Sequence, residues 1–178
     1  MDFMISLKKE LSFLEIMNKS STSNGIEIAK QLFSQIIGEK PTRAELGEGS
    51  FVTIHWGKDI TETLKTKRRT STHIFGERRL WICMCAWRID KNGIPLIGCE
   101  DTRTKIEKSL VDLVNKPLLS VKILNNAFDL ILKFEDDIEM YLFSFYTEDS
   151  DQWILFNPDN SSFCAGSGGI WHYENPSK

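Results

Sequence analysis

A chain of 178 residues that is 41% hydrophobic and 26% charged, with a formal net charge of −3, has the size and balance of one folded domain. That composition excludes a disordered chain and a strongly cationic nucleic-acid binder. The opening Met-Asp-Phe-Met-Ile-Ser-Leu-Lys-Lys-Glu puts charge where an export signal needs an unbroken apolar run, and no apolar stretch reaches the roughly 18–20 residues of a membrane span, so a soluble, cytoplasmic protein is expected.

In chain order, Phe3, Leu7, Leu11, Leu14 and Met17 recur at helical spacing, and after a polar run from Asn18 to Gly25 a second stripe follows: Ile28, Ala29, Leu32, Phe33 and Ile36, ended by Gly38 and Pro41. This predicts an N-terminal helical arm over residues 1–45, in one compact unit with an α+β domain over 46–178. Phe51–Trp56 is rich in branched and aromatic residues and predicts a strand. Lys58–Thr72 is polar and predicts a loop or hairpin extension with a basic tip at Lys65, Lys67, Arg68 and Arg69. The almost wholly apolar run Leu80–Ile89 predicts a central strand covered on both faces. Asn92-Gly93 is a tight-turn signal that folds Ile94–Cys99 back as its partner.

Ile106, Leu110, Leu113 and Val114 predict a helix over about Thr102–Asn115, with Asp101 or Thr102 available as a cap and Thr104 with Glu107 at capping-box spacing. Leu118–Leu124 then opens a meander. Phe128, Leu130, Leu132 and Phe134 alternate with more polar residues, the turn Glu135-Asp136-Asp137 follows, and Ile138–Phe145 is apolar on both faces, with a third segment through Trp153. Asn157–Asn160 and Gly166–Gly169 are turns around the last short strands near Phe163 and Ile170–Tyr173. The fold class is therefore α+β: a curved, mostly antiparallel sheet of six to nine strands, one packed helix and an N-terminal helical pair. Trp87, Leu110, Leu130, Leu132 and Leu142 are expected to share one core.

The segments His55-Trp56-Gly57, Cys85–Ile89, Leu96–Asp101, Phe128-Asp129-Leu130, Phe134-Glu135-Asp136, Gln152–Leu155 and Gly168–Tyr173 resemble a group of uncharacterised bacterial proteins, over roughly Phe51–Tyr173. The context of that group resembles that of immunity proteins in polymorphic-toxin and defence loci. The resemblance implies a common fold and brings no catalytic residues with it.

No catalytic residue, metal ligand or cofactor is expected. Cys83 and Cys85, read as two thiols on one face of the apolar strand, fit core packing and do not have zinc-finger spacing. Cys99 and Cys164 likewise imply no disulfide framework. The histidines His55, His73 and His172 are scattered. Gly166–Gly169 lacks the strand, helix, Lys and Ser/Thr context of a phosphate loop. The charge distribution is more informative, because Asn126–Asp159 carries nine acidic residues against the single Lys133, whereas Lys58–Arg79 carries seven basic against three acidic. Acidic residues at strand ends keep edges solvated. They also suit a surface that steers a basic protein, with exposed-phase aromatics as anchors. On that reading the partner surface comprises Asp136, Asp137, Glu139, Tyr146, Asp149, Asp151 and Trp153, with Tyr141 beside it, and the function is a non-catalytic protein-binding module, a toxin-neutralising immunity protein or defence-associated interaction protein whose partner is another protein such as a basic toxin. The alternative is a small-ligand or enzyme pocket near Trp87, Arg88, His55 and Trp171. Arg88 is expected to pair with an acid or stack on an aromatic ring.

Overall fold

The computed structural model describes residues 23–65, 70–148 and 150–175. Among the described residues, eleven strands divide into two antiparallel sheets. The six-stranded sheet contains, in spatial order, β1 (Arg43–Leu46), β2 (Val52–Lys65), β3 (Thr70–Ile82), β9 (Asp151–Phe156), β10 (Ser162–Gly166) and β11 (Trp171–Glu174). The five-stranded sheet runs β5 (Ile94–Gly98), β4 (Ala86–Lys91), β8 (Ile138–Phe143), β7 (Leu130–Phe134), β6 (Leu118–Ile123). Among the described residues two α-helices accompany them: α1 over residues 23–34, and the short α2, Arg103–Leu110, extended by one 3-10 turn at Val111–Leu113. The expectation of one sheet of six to nine strands is thereby corrected to two sheets with eleven strands among the described residues, and of the expected N-terminal helical pair and packed helix the described residues hold α1 and a shorter α2; the mostly antiparallel α+β class stands. The first N-terminal stripe, Phe3–Met17, and the tip residues Lys67, Arg68 and Arg69 lie outside the described residues. β1 straddles the division drawn at residue 45.

Each sheet turns one face inward. Val52, Ile54, Trp56, Leu80, Ile82, Trp153, Leu155 and Phe163 from one sheet share a single core with Trp87, Ile89, Leu130, Leu132, Phe134, Met140 and Leu142 from the other. All five residues expected in one core are there, Leu110 included. α1 adds Ala29, Leu32 and Phe33, followed by Ile36, which is the second apolar stripe of the sequence.

The run Leu80–Ile89 is not one strand. It leaves the six-stranded sheet after Ile82, crosses at Cys83–Cys85 and enters the five-stranded sheet at Ala86. An apolar crossing is needed because the segment is buried between the sheets, and its polar backbone is satisfied by β9: Cys83 N–H donates to Gln152 O at 3.0 Å and Met84 N–H to Asp151 O at 3.3 Å. The two thiols do the same, Cys83 Sγ to Asp151 O at 3.0 Å and Cys85 Sγ to Gln152 O at 3.4 Å.

Turn chemistry follows sequence. Asn92 and Gly93 have φ of 53° and 70°, the pair of left-handed residues that a two-residue hairpin turn requires. The Thr104–Glu107 box does not form. Thr102 is the N-cap without a side-chain bond, and Glu107 pairs instead with Arg103 one turn back at 2.9 Å. Among the described residues no helix is long and apolar enough to cross a membrane.

Candidate functional site

Strand β8 is apolar on both faces, and only one face can enter the core. Ile138, Met140 and Leu142 do so; Glu139, Tyr141 and Phe143 point outward. The outward phase continues into Phe145 because Ser144 is held inward: its N–H donates to Asp129 Oδ1 at 2.7 Å and its hydroxyl to Ala127 O at 2.7 Å. An aromatic ridge therefore runs along the outer face of the five-stranded sheet. Tyr141 and Phe143 stack at 6.1 Å and 7°, Phe145 and Tyr146 meet at 4.3 Å, and Phe143, Phe145 and Tyr146 are 38%, 58% and 40% exposed. Arg88, across from Tyr141 on β4, lies 5.2 Å over that ring while its guanidinium forks onto Asp90 at 2.7 and 3.0 Å. Both partners expected of Arg88, an acid and an aromatic ring, are present.

The acidic residues divide. Asp136 and Asp137 occupy left-handed positions, φ 61° and 54°, in the β7–β8 turn. Lys116 pairs with Asp136, and Lys133 reaches Asp137 at 3.2 Å and Glu139 at 3.3 Å. At this end of the strand the negative charge is partly matched by these two cations. Tyr146 and Asp151 sit at the opposite end, separated from the turn by β8, a span of ~17–20 Å. Asp149 lies outside the described residues. Of the seven residues expected to form one patch, Asp136, Asp137 and Glu139 thus belong to one region and Tyr146 and Asp151 to another.

Trp153 is corrected from an exposed anchor to a core residue, 1% exposed, its Nε1–H donating to Phe128 O at 3.0 Å and its ring 5.5 Å from both Phe33 and Phe163. The cause is a bulge. Ala165 pairs with Trp153, but the next residue, Gly166, pairs with Asp151, so β9 carries Gln152 as an extra residue and its side-chain alternation reverses there. In a regular strand Asp151 and Trp153 would share a face; the bulge sends one to solvent and the other to the core.

The residues of the alternative pocket do not converge. Trp87 and Arg88 are consecutive on β4 and leave opposite faces, Trp87 inward with its Nε1–H on Ser50 O at 2.7 Å. His55 is on the outer face of the other sheet, and Trp171 stacks on Phe163 at 5.7 Å.

The same bulge assembles a group that sequence spacing did not reveal. Cys164 on β10 pairs directly with His172 on β11, and Asp151, re-aimed by Gln152, joins them from β9. One ligand atom from each of Asp151, Cys164 and His172 lies within 4.8 Å of the others. Cys164 is buried, and its Sγ–H donates to Asp151 Oδ1 at 3.0 Å. Burial first, and the Asp151 carboxylate second, push this thiol well above its ordinary range, and burial pushes Cys83 up to about 11. Beside the three runs a cleft of about 240 Å³ lined by Ser150, Asp151, Gly166, Ser167, Ile170 and His172. Its wall is fixed by Ser167, whose hydroxyl donates to Ser150 O at 2.9 Å. Comparison with known protein families, with curated proteins and with solved structures finds no match to this chain.

Proposed function

We propose that this chain is a non-catalytic protein-binding module, a toxin-neutralising immunity protein or defence-associated interaction protein, that engages its partner through the outer face of the five-stranded sheet. The observation that carries the reading is the ridge Tyr141, Phe143, Phe145 and Tyr146, with three of its four rings exposed. Aromatic rings left this exposed offer a partner a substantial part of the ~150–250 Å² that a fully buried ring covers, and the rigid anchoring that dominates interface energies. Arg88, Glu139 and Lys133 border the ridge and supply a polar rim. The pairing of Asp136, Asp137 and Glu139 with only Lys116 and Lys133 leaves a residual negative charge for steering and favours the rings for recognition.

The test is binding kinetics against the protein encoded beside this one. The double variant Phe143→Ser, Phe145→Ser is expected to keep its fold and to dissociate at least about tenfold faster, since lost anchors act on the off-rate. Reversal of Asp136 and Asp137 to lysine is expected to slow association of a basic partner, more at low salt than at high. Unchanged dissociation of the aromatic variant would overturn the assignment of the face.

A further inference from the structure

The geometry points to Asp151, Cys164 and His172 as a site for a zinc-class divalent metal ion, held by one oxygen, one sulfur and one nitrogen from three neighbouring strands, with its fourth position open to the cleft of Ser150, Gly166, Ser167 and Ile170. Two observations support it independently. The first is proximity: three ligand atoms within 4.8 Å need only small shifts to reach the ~3.3–3.8 Å separations of a tetrahedral zinc shell, the Cys164–Asp151 pair opening slightly from its 3.0 Å. The second is construction. Antiparallel pairing fixes Cys164 opposite His172, the Gln152 bulge exists on the one strand and at the one place that brings Asp151 to their face, and Cys164 is itself buried.

The ligand types suit a borderline ion. Imidazole and thiolate select zinc, cobalt or copper over magnesium and calcium, and a single carboxylate completes a three-residue set of the kind that leaves a water-bearing position. The same trio is a poor nucleophilic arrangement, because the Cys164 thiol donates to the carboxylate instead of to the imidazole that would have to activate it. A cation between them makes thiolate and carboxylate compatible at that distance. Cys83, which donates to the Asp151 backbone carbonyl, stands outside the set. The metal-free expectation drawn from cysteine spacing is therefore set aside at Cys164 alone.

The full chain, stripped with a chelator and desalted, is titrated with Co²⁺ and then with Zn²⁺. One equivalent of Co²⁺ is expected to bind with a thiolate-to-cobalt charge-transfer band that Zn²⁺ displaces. Cys164→Ser should abolish the band, His172→Ala and Asp151→Asn, both at exposed positions, should weaken binding about tenfold or more, and Cys83→Ser should leave it in place. Millimolar binding, a band that survives Cys164→Ser, or affinity indifferent to both His172→Ala and Asp151→Asn would overturn the assignment. Should Cys164→Ser misfold, the two exposed variants decide the matter.

Discussion

His55 should make this protein sensitive to mild acid. It sits on the outer face of the six-stranded sheet with an arginine directly opposite on each side, Arg43 on β1 and Arg79 on β3, and it is 1% exposed. Gly76 N–H donates to its Nδ1 at 3.0 Å, so the ring must be neutral there; a proton on Nδ1 would set donor against donor. Glu45, 3.4 Å from Nε2, is too far to compensate fully. Burial first, then Arg43 and Arg79, lower the imidazole from 6.5 to about 4, with Asp59 opposing. A depressed histidine contributes stability that is fully present above the unfolded value and lost as pH falls below it, the loss levelling off once the folded group itself protonates near pH 4. At about pH 4.5 the ceiling is roughly 2.5 kcal/mol. Water around the arginine heads screens part of this, so about 2 kcal/mol is expected, or about 1 M in urea midpoint at a slope of ~2 kcal/mol/M. The assay is urea unfolding of the wild type and of His55→Gln at about pH 7.5 and 4.5; carboxylate titrations common to both cancel in the difference. If the two proteins lose equal stability on acidification, the reasoning about His55 is wrong.

A Cβ on Gly76 would lie 2.8 Å from Trp56 O, 2.9 Å from His55 Cβ and 3.0 Å from Arg78 O, so Gly76→Ala is expected to cost about 2 kcal/mol or more, mostly in backbone displacement, read as a lowered denaturation midpoint. Trp153→Phe keeps most of the ring contacts but removes the donor to Phe128 O, leaving a buried carbonyl unpaired; a loss of about 2 kcal/mol is expected, and an unchanged midpoint would refute the role given to that bond.

The parts of the fold that were legible are those set by local pattern. Leu130–Phe134 alternates cleanly and turns immediately into Ile138–Phe143, so pairing and inward face follow together, as they do around Asn92-Gly93. What stayed hidden depends on distant partners. Leu80–Ile89 reads as one strand because a segment that passes between two buried layers is as apolar as one that stays in a single layer. Trp153 was assigned to the wrong face because a one-residue bulge leaves no trace in composition. The Asp151–Cys164–His172 group escaped for the same reason: its members are neighbours through strand register, and no sequence spacing encodes register across two turns and a bulge.

The order of strands carries a consequence for how the chain finds its fold. The five-stranded sheet is continuous in sequence, β4 through β8, whereas the six-stranded sheet is split, β1–β3 before it and β9–β11 after. Joining β3 to β9 across an unstructured chain of that length is entropically expensive and slow. Once the inner sheet has formed, however, its first and last strands are direct neighbours, with Ala86 opposite Phe143. The ends of the long insertion are then already side by side, and the late pairing of Arg79 with Phe156 is kinetically little more than closing a short loop. On this topology the inner sheet is expected to act as a clasp for the outer one, so substitutions in β4 or β8 should slow folding, measured by stopped-flow refolding, more than equally destabilising ones in β1 or β11.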